Sequence, residues 1–161
     1  VAKDTVKPFR VVANGMSVEA LGTGFNINAY QDDDCLCTTL VEGKVRVSYL
    51  DSHQECILVP GEQAILKDGV IMAKQVNVDD IIAWKKGRFV FSDMPLETIA
   101  KQLERWYDVE IRFDDIVAKY YRFTGVMKRY NELEQVLGLI EETTNVRFKV
   151  EGCQVRVFRN L

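Results

Sequence analysis

The sequence predicts a mainly β chain that ends in an α+β domain. We expect an antiparallel β sandwich, roll or solenoid, followed by a small βαββαβ domain with two helices on one face of a sheet. Two observations predict this class. Short alternating segments separated by strong turn signals fill residues 9–76. Residues 96–113 and 133–150 are then two copies of one helix–strand pattern, offset by 37 positions.

The first half of the chain reads as strands and turns. Asn14-Gly15 and Asp68-Gly69 favour tight turns, because both residue types tolerate a positive φ. No helical periodicity interrupts this region, and strands of this length and spacing are typical of sandwiches, rolls and solenoids. The expected strands cover residues 9–13, 16–21, 24–30, 35–41, 44–50, 55–59, 62–66 and 70–76.

The second half alternates strands with helices. Asp79 can cap a short helix over 80–84, Asp93 and Pro95 suit the start of a longer helix, and Asn131 can cap the last one. We divide the chain into a β domain at 1–78, a linker at 79–86 and a βαββαβ module at 87–161. The module's expected strands are 88–91, 109–113, 121–127, 146–150 and 154–158, its helices are 95–107 and 131–143, and a turn or single helical turn covers 114–119.

The two copies agree position by position, which predicts that they bury equivalent side chains. The last two strands should form a hairpin around Glu151-Gly152. The matched helical positions are Leu96, Ile99, Ala100 and Leu103 in the first copy and Leu133, Val136, Leu137 and Ile140 in the second. The matched strand positions are Val109, Ile111 and Phe113, and Val146, Phe148 and Val150.

Composition bounds the function class. A hydrophobic fraction of 47% and a charged fraction of 28% are globular values, and the net charge of −3 argues against a nucleic-acid binder. Residues 1–84 carry a net charge of −5 and residues 85–161 one of +2. No signal peptide and no apolar run of roughly 20 residues is visible. Because residues 9–13 already have the pattern of a strand, we expect the chain to be a fragment of a longer protein whose amino-terminal part has been removed.

The four cysteines are expected to be free thiols. They include no C-x-x-C pair, and the sequence has one histidine, so zinc binding is not expected. If Glu42-Gly43 closes a two-residue hairpin and 51–54 closes the next, Tyr49 lies opposite Cys56, while Cys35 and Cys37 lie on the other face. That register assigns to the core face Leu36, Leu40, Val45, Val47, Tyr49, Cys56 and Leu58.

No catalytic, cofactor or metal site is predicted. Residues 21–24 (Leu-Gly-Thr-Gly) precede a strand rather than a helix, so they indicate a turn or bulge and not a dinucleotide site. His53 lies in a polar turn without an orienting group. The Asp run at 32–34 lacks calcium-loop spacing, and the pairs at 114–115 and 141–142 point apart. We therefore expect a protein that is not an enzyme.

A protein-binding surface is the remaining candidate site. Trp106 has helical spacing from Ile99 and Leu103, so core packing is its expected role. Aromatic and arginine side chains are over-represented among interface anchors. The strand at 154–158 is expected at a sheet edge, where it could accept a partner strand. The candidate binding residues are Arg105, Tyr107, Tyr121, Arg122, Lys128, Arg129, Tyr130 and Arg156.

Six stretches in series resemble a known family. They are LGTGFNINAY at 21–30, LVEGKV at 40–45, VPGEQA at 59–64, AWKKGRF at 83–89, LERWYDV at 103–109 and RFTG at 122–125. Together they resemble the extracytoplasmic part of FecR-type anti-sigma regulators of the Bacteroidetes type, over residues 8–158. The family usually has Ser at the position of Gly24, a difference that concerns local strand geometry.

The resemblance implies a layout and partners. Residues 8–76 would be the end of a FecR β domain in the periplasm, and 85–158 a module similar to the signalling domain of TonB-dependent receptors and secretins. Its partner would be the periplasmic signalling domain of a TonB-dependent outer-membrane transporter. A missing cytoplasmic segment would bind a sigma factor, and a missing helix would cross the inner membrane. The resemblance implies no cofactor, no nucleic-acid partner and no catalytic residue.

Two other function classes stay open from the residues alone. The chain could be a structural or secretion-associated adaptor that self-associates through the βαββαβ module. It could also be a glycan-binding or hydrolytic domain, which would need exposed aromatic side chains on the sheets of residues 9–76. Tyr30 and Tyr49 are the only Tyr or Trp residues there, and the proposed register buries Tyr49.

Overall fold

The computed structural model describes residues 8–20 and 22–160 and divides into two compact units. The first unit ends at Ile82 and the second begins at Ala83, a boundary inside the predicted linker. No helix in the described ranges is long and apolar enough to span a membrane.

Over its described residues, the first unit contains eight short strands and one short helix. Each strand lies within two residues of its predicted position. The short helix α1 is capped by the side chain of Asn77, which accepts a 3.1 Å hydrogen bond from the Asp79 N–H, so Asp79 is not the cap that we predicted. The elements are β1 (Phe9–Ala13), β2 (Met16–Ala20), β3 (Gly24–Asn28), β4 (Leu36–Glu42), β5 (Val45–Tyr49), β6 (Glu55–Leu58), β7 (Glu62–Lys67), β8 (Val70–Gln75) and α1 (Val78–Ile81).

The strands form two four-stranded antiparallel sheets, ordered β1-β2-β5-β6 and β3-β4-β7-β8. The chain changes sheet after every second strand. Side chains of both sheets meet in one core, so the arrangement is a sandwich. The buried members are Met16, Val18, Ala20, Leu40, Val45, Val47, Leu58, Ala64 and Leu66.

The predicted hairpin at Glu42-Gly43 is wrong. β4 pairs with β3 and β7, and β5 pairs with β2 and β6, so the Glu42-Gly43 link crosses between sheets. Gly43 has a φ of +87°, and a Cβ there would lie 2.6 Å from Cγ2 of Thr23. The β5–β6 register also differs, since Cys56 lies opposite Val47 and not Tyr49. That shift of two residues leaves the core face unchanged, and all seven predicted core side chains belong to the core.

The second unit follows the predicted βαββαβ order, and the mainly β plus α+β class is confirmed. Its helices begin without a side-chain cap. The backbone N–H of Leu96 instead donates a 2.8 Å hydrogen bond to the Tyr121 carbonyl, so the predicted caps at Asp93 and Asn131 are wrong. The elements are β9 (Arg88–Pro95), α2 (Leu96–Tyr107), β10 (Glu110–Phe113), β11 (Arg122–Lys128), α3 (Leu133–Thr143), β12 (Val146–Glu151) and β13 (Gln154–Arg159), with 3₁₀ helices at Ala83–Lys86 and Ile116–Tyr120.

The internal repeat is confirmed. The eight matched helical positions are the residues that α2 and α3 bury, and all six matched strand positions belong to the same core. The repeat extends to hydrogen bonding. Glu104 Oε1 accepts a 2.7 Å bond from the Ile111 N–H, and Glu141 Oε1 accepts a 2.6 Å bond from the Phe148 N–H. In each copy, therefore, a glutamate at the equivalent position of the helix binds the strand that follows it.

The strands of this unit lie in two sheets and not in one. β9 pairs antiparallel with β11, while β13 lies between β10, its parallel partner, and β12, its antiparallel partner. Each helix contacts both sheets. The last strand is therefore central, and the predicted edge at 154–158 is wrong: β10 inserts beside it although β10 lies over 40 residues earlier in the chain.

Candidate protein-binding site

The end of α2 holds the segment that follows β11. Trp106 Nε1 donates a 2.6 Å hydrogen bond to the carbonyl oxygen of Arg129, and the Tyr107 hydroxyl donates a 2.8 Å bond to the carbonyl oxygen of Asn131. Two consecutive aromatic side chains of the last helical turn thus fix the backbone of the turn after β11. The helix ends directly after them, because Asp108 adopts the left-handed conformation with φ +54°.

Arg129 stacks between aromatic rings. Its guanidinium carbon lies 3.6 Å from the centroid of the Trp106 ring and 4.9 Å from that of Phe89. Trp106 also meets Tyr130 and Phe89 edge-on, with each pair of ring centroids 6.3 Å apart. Such cation–π contacts stabilise an arginine at a fixed position. We call Phe89, Trp106, Tyr107, Arg129 and Tyr130 the aromatic–arginine cluster.

Part of this cluster faces solvent. Tyr130 is 81% exposed and Trp106 is 40% exposed, so the expected core packing of Trp106 is wrong. Tyr130 rests over Gly87, whose carbonyl accepts a 2.9 Å bond from the Arg129 N–H. A Cβ on Gly87 would lie 2.5 Å from Cε2 of Tyr130. Large aromatic surface held in place but exposed is typical of an interface anchor.

Basic residues lie next to members of the cluster along the chain. Lys128 at the end of β11 lies opposite Arg88 at the start of β9, and both side chains are exposed. Lys85 and Lys86 are exposed in the preceding 3₁₀ helix. Burial first, and then the carboxylate of Glu132, raise the pKa of the Tyr107 hydroxyl. The segments that carry the cluster therefore hold several exposed basic side chains as well as this acidic one.

The structure brings together three of the eight predicted binding residues, Tyr107, Arg129 and Tyr130, and Lys128 directly precedes Arg129 in the chain. Arg105 is partly buried on α2, one position before Trp106. The other three lie elsewhere in the unit. Tyr121 and Arg122 are at the opposite end of β11, about 20 Å away at ~3.3 Å per residue. Arg122 forms a 2.7 Å ion pair with Asp93.

Arg156 belongs to a separate group of ion pairs. It forms a 2.7 Å ion pair with Asp114. Arg159, on the same strand as Arg156, forms an ion pair with Asp115. Asp115 also caps the second 3₁₀ helix, accepting a 2.9 Å bond from the Val117 N–H. That backbone bond first, and Arg159 after it, lower the pKa of Asp115. These charges are already paired within the unit, so they offer less to a partner than the cluster does.

Two members of the cluster were not predicted as site residues, Phe89 and Trp106, and neither was the neighbouring Arg88. One signal could have found Trp106. It lies in the last turn before Asp108, where a helix often projects beyond the layer that it covers, so helical spacing alone did not decide its burial.

The segments that we excluded as catalytic or cofactor sites have structural roles. Gly22 has a φ of +76° in the link between β2 and β3, and the β3–β4 register is irregular between Gly24 and Phe25, which agrees with the predicted turn or bulge; Leu21 lies outside the described residues. His53 is exposed in the turn between β5 and β6. Among the residues described, no three His, Cys, Asp or Glu side chains form a group that could hold a metal ion.

The chain resembles a known protein family and two solved structures. The family described as "FecR, C-terminal" matches residues 88–157. A 1.65 Å crystal structure of a protein from Parabacteroides distasonis ATCC 8503, described as an anti-sigma factor, is 30% identical with a TM-score of 0.88, and the match covers 99% of this chain and 74% of that one. A 2.50 Å structure under the same description gives a TM-score of 0.87 with the same identity and coverage. No curated protein matches the chain significantly.

Proposed function

The chain belongs to the family of FecR-type anti-sigma factor regulators, and on that premise we propose that it is the periplasmic sensor region of such a regulator. In this proposal it receives its signal by contact with the periplasmic signalling domain of a TonB-dependent outer-membrane transporter. It then controls a sigma factor that is bound by a cytoplasmic segment of the same regulator, beyond a single membrane helix. The chain works by binding and not by catalysis.

The observation that carries the binding role is the aromatic–arginine cluster. Its backbone is fixed by the hydrogen bonds from Trp106 and Tyr107, yet Tyr130 stays 81% exposed. A rigid aromatic side chain loses little conformational entropy on binding, so it can contribute much of the free energy of an interface. We propose that Tyr130 and Trp106 anchor the transporter domain.

The basic residues beside the cluster support an acidic contact surface on that domain. Lys128 and Arg88 lie side by side on neighbouring strands. Charges at the rim of an interface act mainly on the association rate and on salt dependence, while buried aromatic anchors act on the dissociation rate. The two residue types therefore have separable kinetic effects.

The test is binding of the full chain to the purified signalling domain of the transporter encoded beside it, measured by surface plasmon resonance. Tyr130→Ala should raise the Kd by about tenfold or more, chiefly through faster dissociation. Tyr120→Ala is the matched control, because Tyr120 is 67% exposed in the same unit but lies in the second 3₁₀ helix. Its affinity should equal that of the wild type.

Charge reversal tests the rim. Lys128→Glu should slow association and reduce its dependence on salt, while Arg122→Glu, at the far end of the same strand, should not. Equal losses for Tyr130→Ala and Tyr120→Ala would contradict the cluster as the binding site. No binding by the wild-type chain would contradict the transporter as the partner, and self-association in light scattering would favour the adaptor class.

A further inference from the structure

Two cysteines in the first unit lie next to each other. The Cys35 and Cys37 sulfur atoms are 3.6 Å apart. Cys37 is the second residue of β4 and is held on both sides, opposite Asn28 of β3 and Ile65 of β7. Cys35 ends the bend that precedes β4. Side chains two positions apart along an extended segment project from the same face, which brings the two sulfurs together.

Both thiols are partly buried, and they differ in their surroundings. Cys35 lines an open cavity of about 220 Å³, whose lining also includes Asp33, Asp34 and Lys67. Cys37 is not part of that lining, and burial first, then the neighbouring Cys35, raise the pKa of its thiol to about 12. An external reagent that enters the cavity therefore meets Cys35 before Cys37. Of the remaining cysteines, Cys56 lies on the other sheet of the sandwich, and Cys153 belongs to the second unit.

We propose that Cys35 and Cys37 are a redox-active dithiol that closes to an intramolecular disulfide by exchange with an external disulfide. This inference goes beyond the proposed function and does not depend on the transporter. The thiolate of Cys35 attacks one sulfur of the external disulfide, which releases one thiol and leaves a mixed disulfide on Cys35. The Cys37 sulfur, after losing its proton, then attacks the Cys35 sulfur and releases the second thiol. The two cysteines lose two electrons and two protons, and the external disulfide gains them.

The geometry supports this order and the closure. A disulfide needs its sulfurs at about 2.05 Å, so they must approach by about 1.5 Å. β4 is hydrogen-bonded on both sides at Cys37, whereas Cys35 lies in a bend outside the strand, so the shift falls on the bend. Conversion of Cys35 to the mixed disulfide also removes the thiolate that opposes ionisation of Cys37. Closure would draw the acidic residues 32–34 toward β4 and so reshape the mouth of the cavity.

The test counts thiols in the full chain after treatment with oxidised glutathione. Remaining thiols are blocked with N-ethylmaleimide, and the digested protein is analysed by mass spectrometry. The expected result is a peptide in which Cys35 and Cys37 have lost two hydrogen atoms and carry no label, with Cys56 and Cys153 not joined to either. In Cys37→Ser, glutathione should stay attached to Cys35; in Cys35→Ser, Cys37 should react slowly or not at all.

Cys153→Ser is the control, because Cys153 is exposed and remote in sequence, and this variant should form the Cys35–Cys37 bond as the wild type does. Circular dichroism checks that each variant is folded. A stable glutathione adduct on Cys35 of the wild type with Cys37 labelled by maleimide would overturn the proposal. A disulfide from either residue to Cys56 or Cys153 would overturn it as well.

Discussion

At the scale of single residues, the aromatic–arginine cluster depends on a residue without a side chain. Gly87 has a φ of +65° and lies beneath Tyr130. A larger residue at position 87 would be strained in the left-handed backbone conformation, and its Cβ would also clash with the Tyr130 ring. The exposed position of Tyr130 is thus set partly by the backbone of Gly87 and not only by the turn that follows β11.

Gly87→Ala should lower the free energy of unfolding by about 1–2 kcal/mol, because an alanine is strained at this φ and its Cβ displaces Tyr130. Urea denaturation followed by circular dichroism measures the change. Gly138→Ala is the matched control: Gly138 lies within α3 with nothing within 4 Å of an added Cβ. It should raise the free energy of unfolding by about 0.5–1 kcal/mol. Equal effects of the two changes would contradict the role given to Gly87.

The residue scale also marks where sequence reasoning ends. Tyr107, Arg129 and Tyr130 could be singled out because their residue types are common at interfaces. That they meet, and that Trp106 joins them, follows from hydrogen bonds between positions 23 and 24 residues apart. Composition cannot report such contacts. For the same reason Tyr121 and Arg156 were grouped with the cluster although they lie elsewhere.

At the scale of elements, the repeat explains what fixes the position of each helix along the strand that follows it. The carboxylates of Glu104 and Glu141 occupy equivalent positions and accept the backbone N–H of the following strand at 2.7 and 2.6 Å. Hydrophobic burial gives each helix its apolar face but fixes its position along the strand less strictly. A directional bond at the equivalent place in both copies supplies that register.

Glu104→Ala and Glu141→Ala should each lower the free energy of unfolding by about 1–3 kcal/mol, because each leaves a partly buried N–H without its acceptor. Denaturant unfolding measures both variants. Glu142→Ala is the control, since Glu142 is the exposed neighbour of Glu141, and it should change stability by less than about 0.5 kcal/mol. A loss for one copy but not for the other would show that the carboxylates are not equivalent.

Strand positions followed from the sequence, whereas strand neighbours did not. Alternation and turn residues are local, so every strand of the first unit was found within two residues of its place. The Glu42-Gly43 link has the same residues whether it closes a hairpin or crosses between sheets, and it crosses. Likewise, being last in the chain did not make β13 an edge strand, because β10 pairs with it from far along the sequence.

At the scale of the whole molecule, the chain contains two separate hydrophobic cores. One joins the two sheets of the first unit, and the other joins the helices and sheets of the second. Among the residues that the structure describes, no buried side chain belongs to both cores. The core face of the first unit could be predicted despite the wrong pairing, because crossing to a facing sheet keeps the same side chains inside. A unit with its own core is expected to fold on its own.

A fragment of residues 83–161 should therefore fold and unfold cooperatively by itself, since it contains all members of the second core. Thermal unfolding by circular dichroism and dispersed amide signals in NMR are the measurements. A fragment of residues 97–161 is the control. It lacks β9, whose Phe89 and Phe91 are 4% and 1% exposed, and β11 would lose its pairing strand. That shorter fragment should show no cooperative transition, because a core without both phenylalanines loses several kcal/mol. If residues 83–161 unfold without a cooperative transition, the second core depends on the first unit, and the division of the chain into independently folding units is wrong.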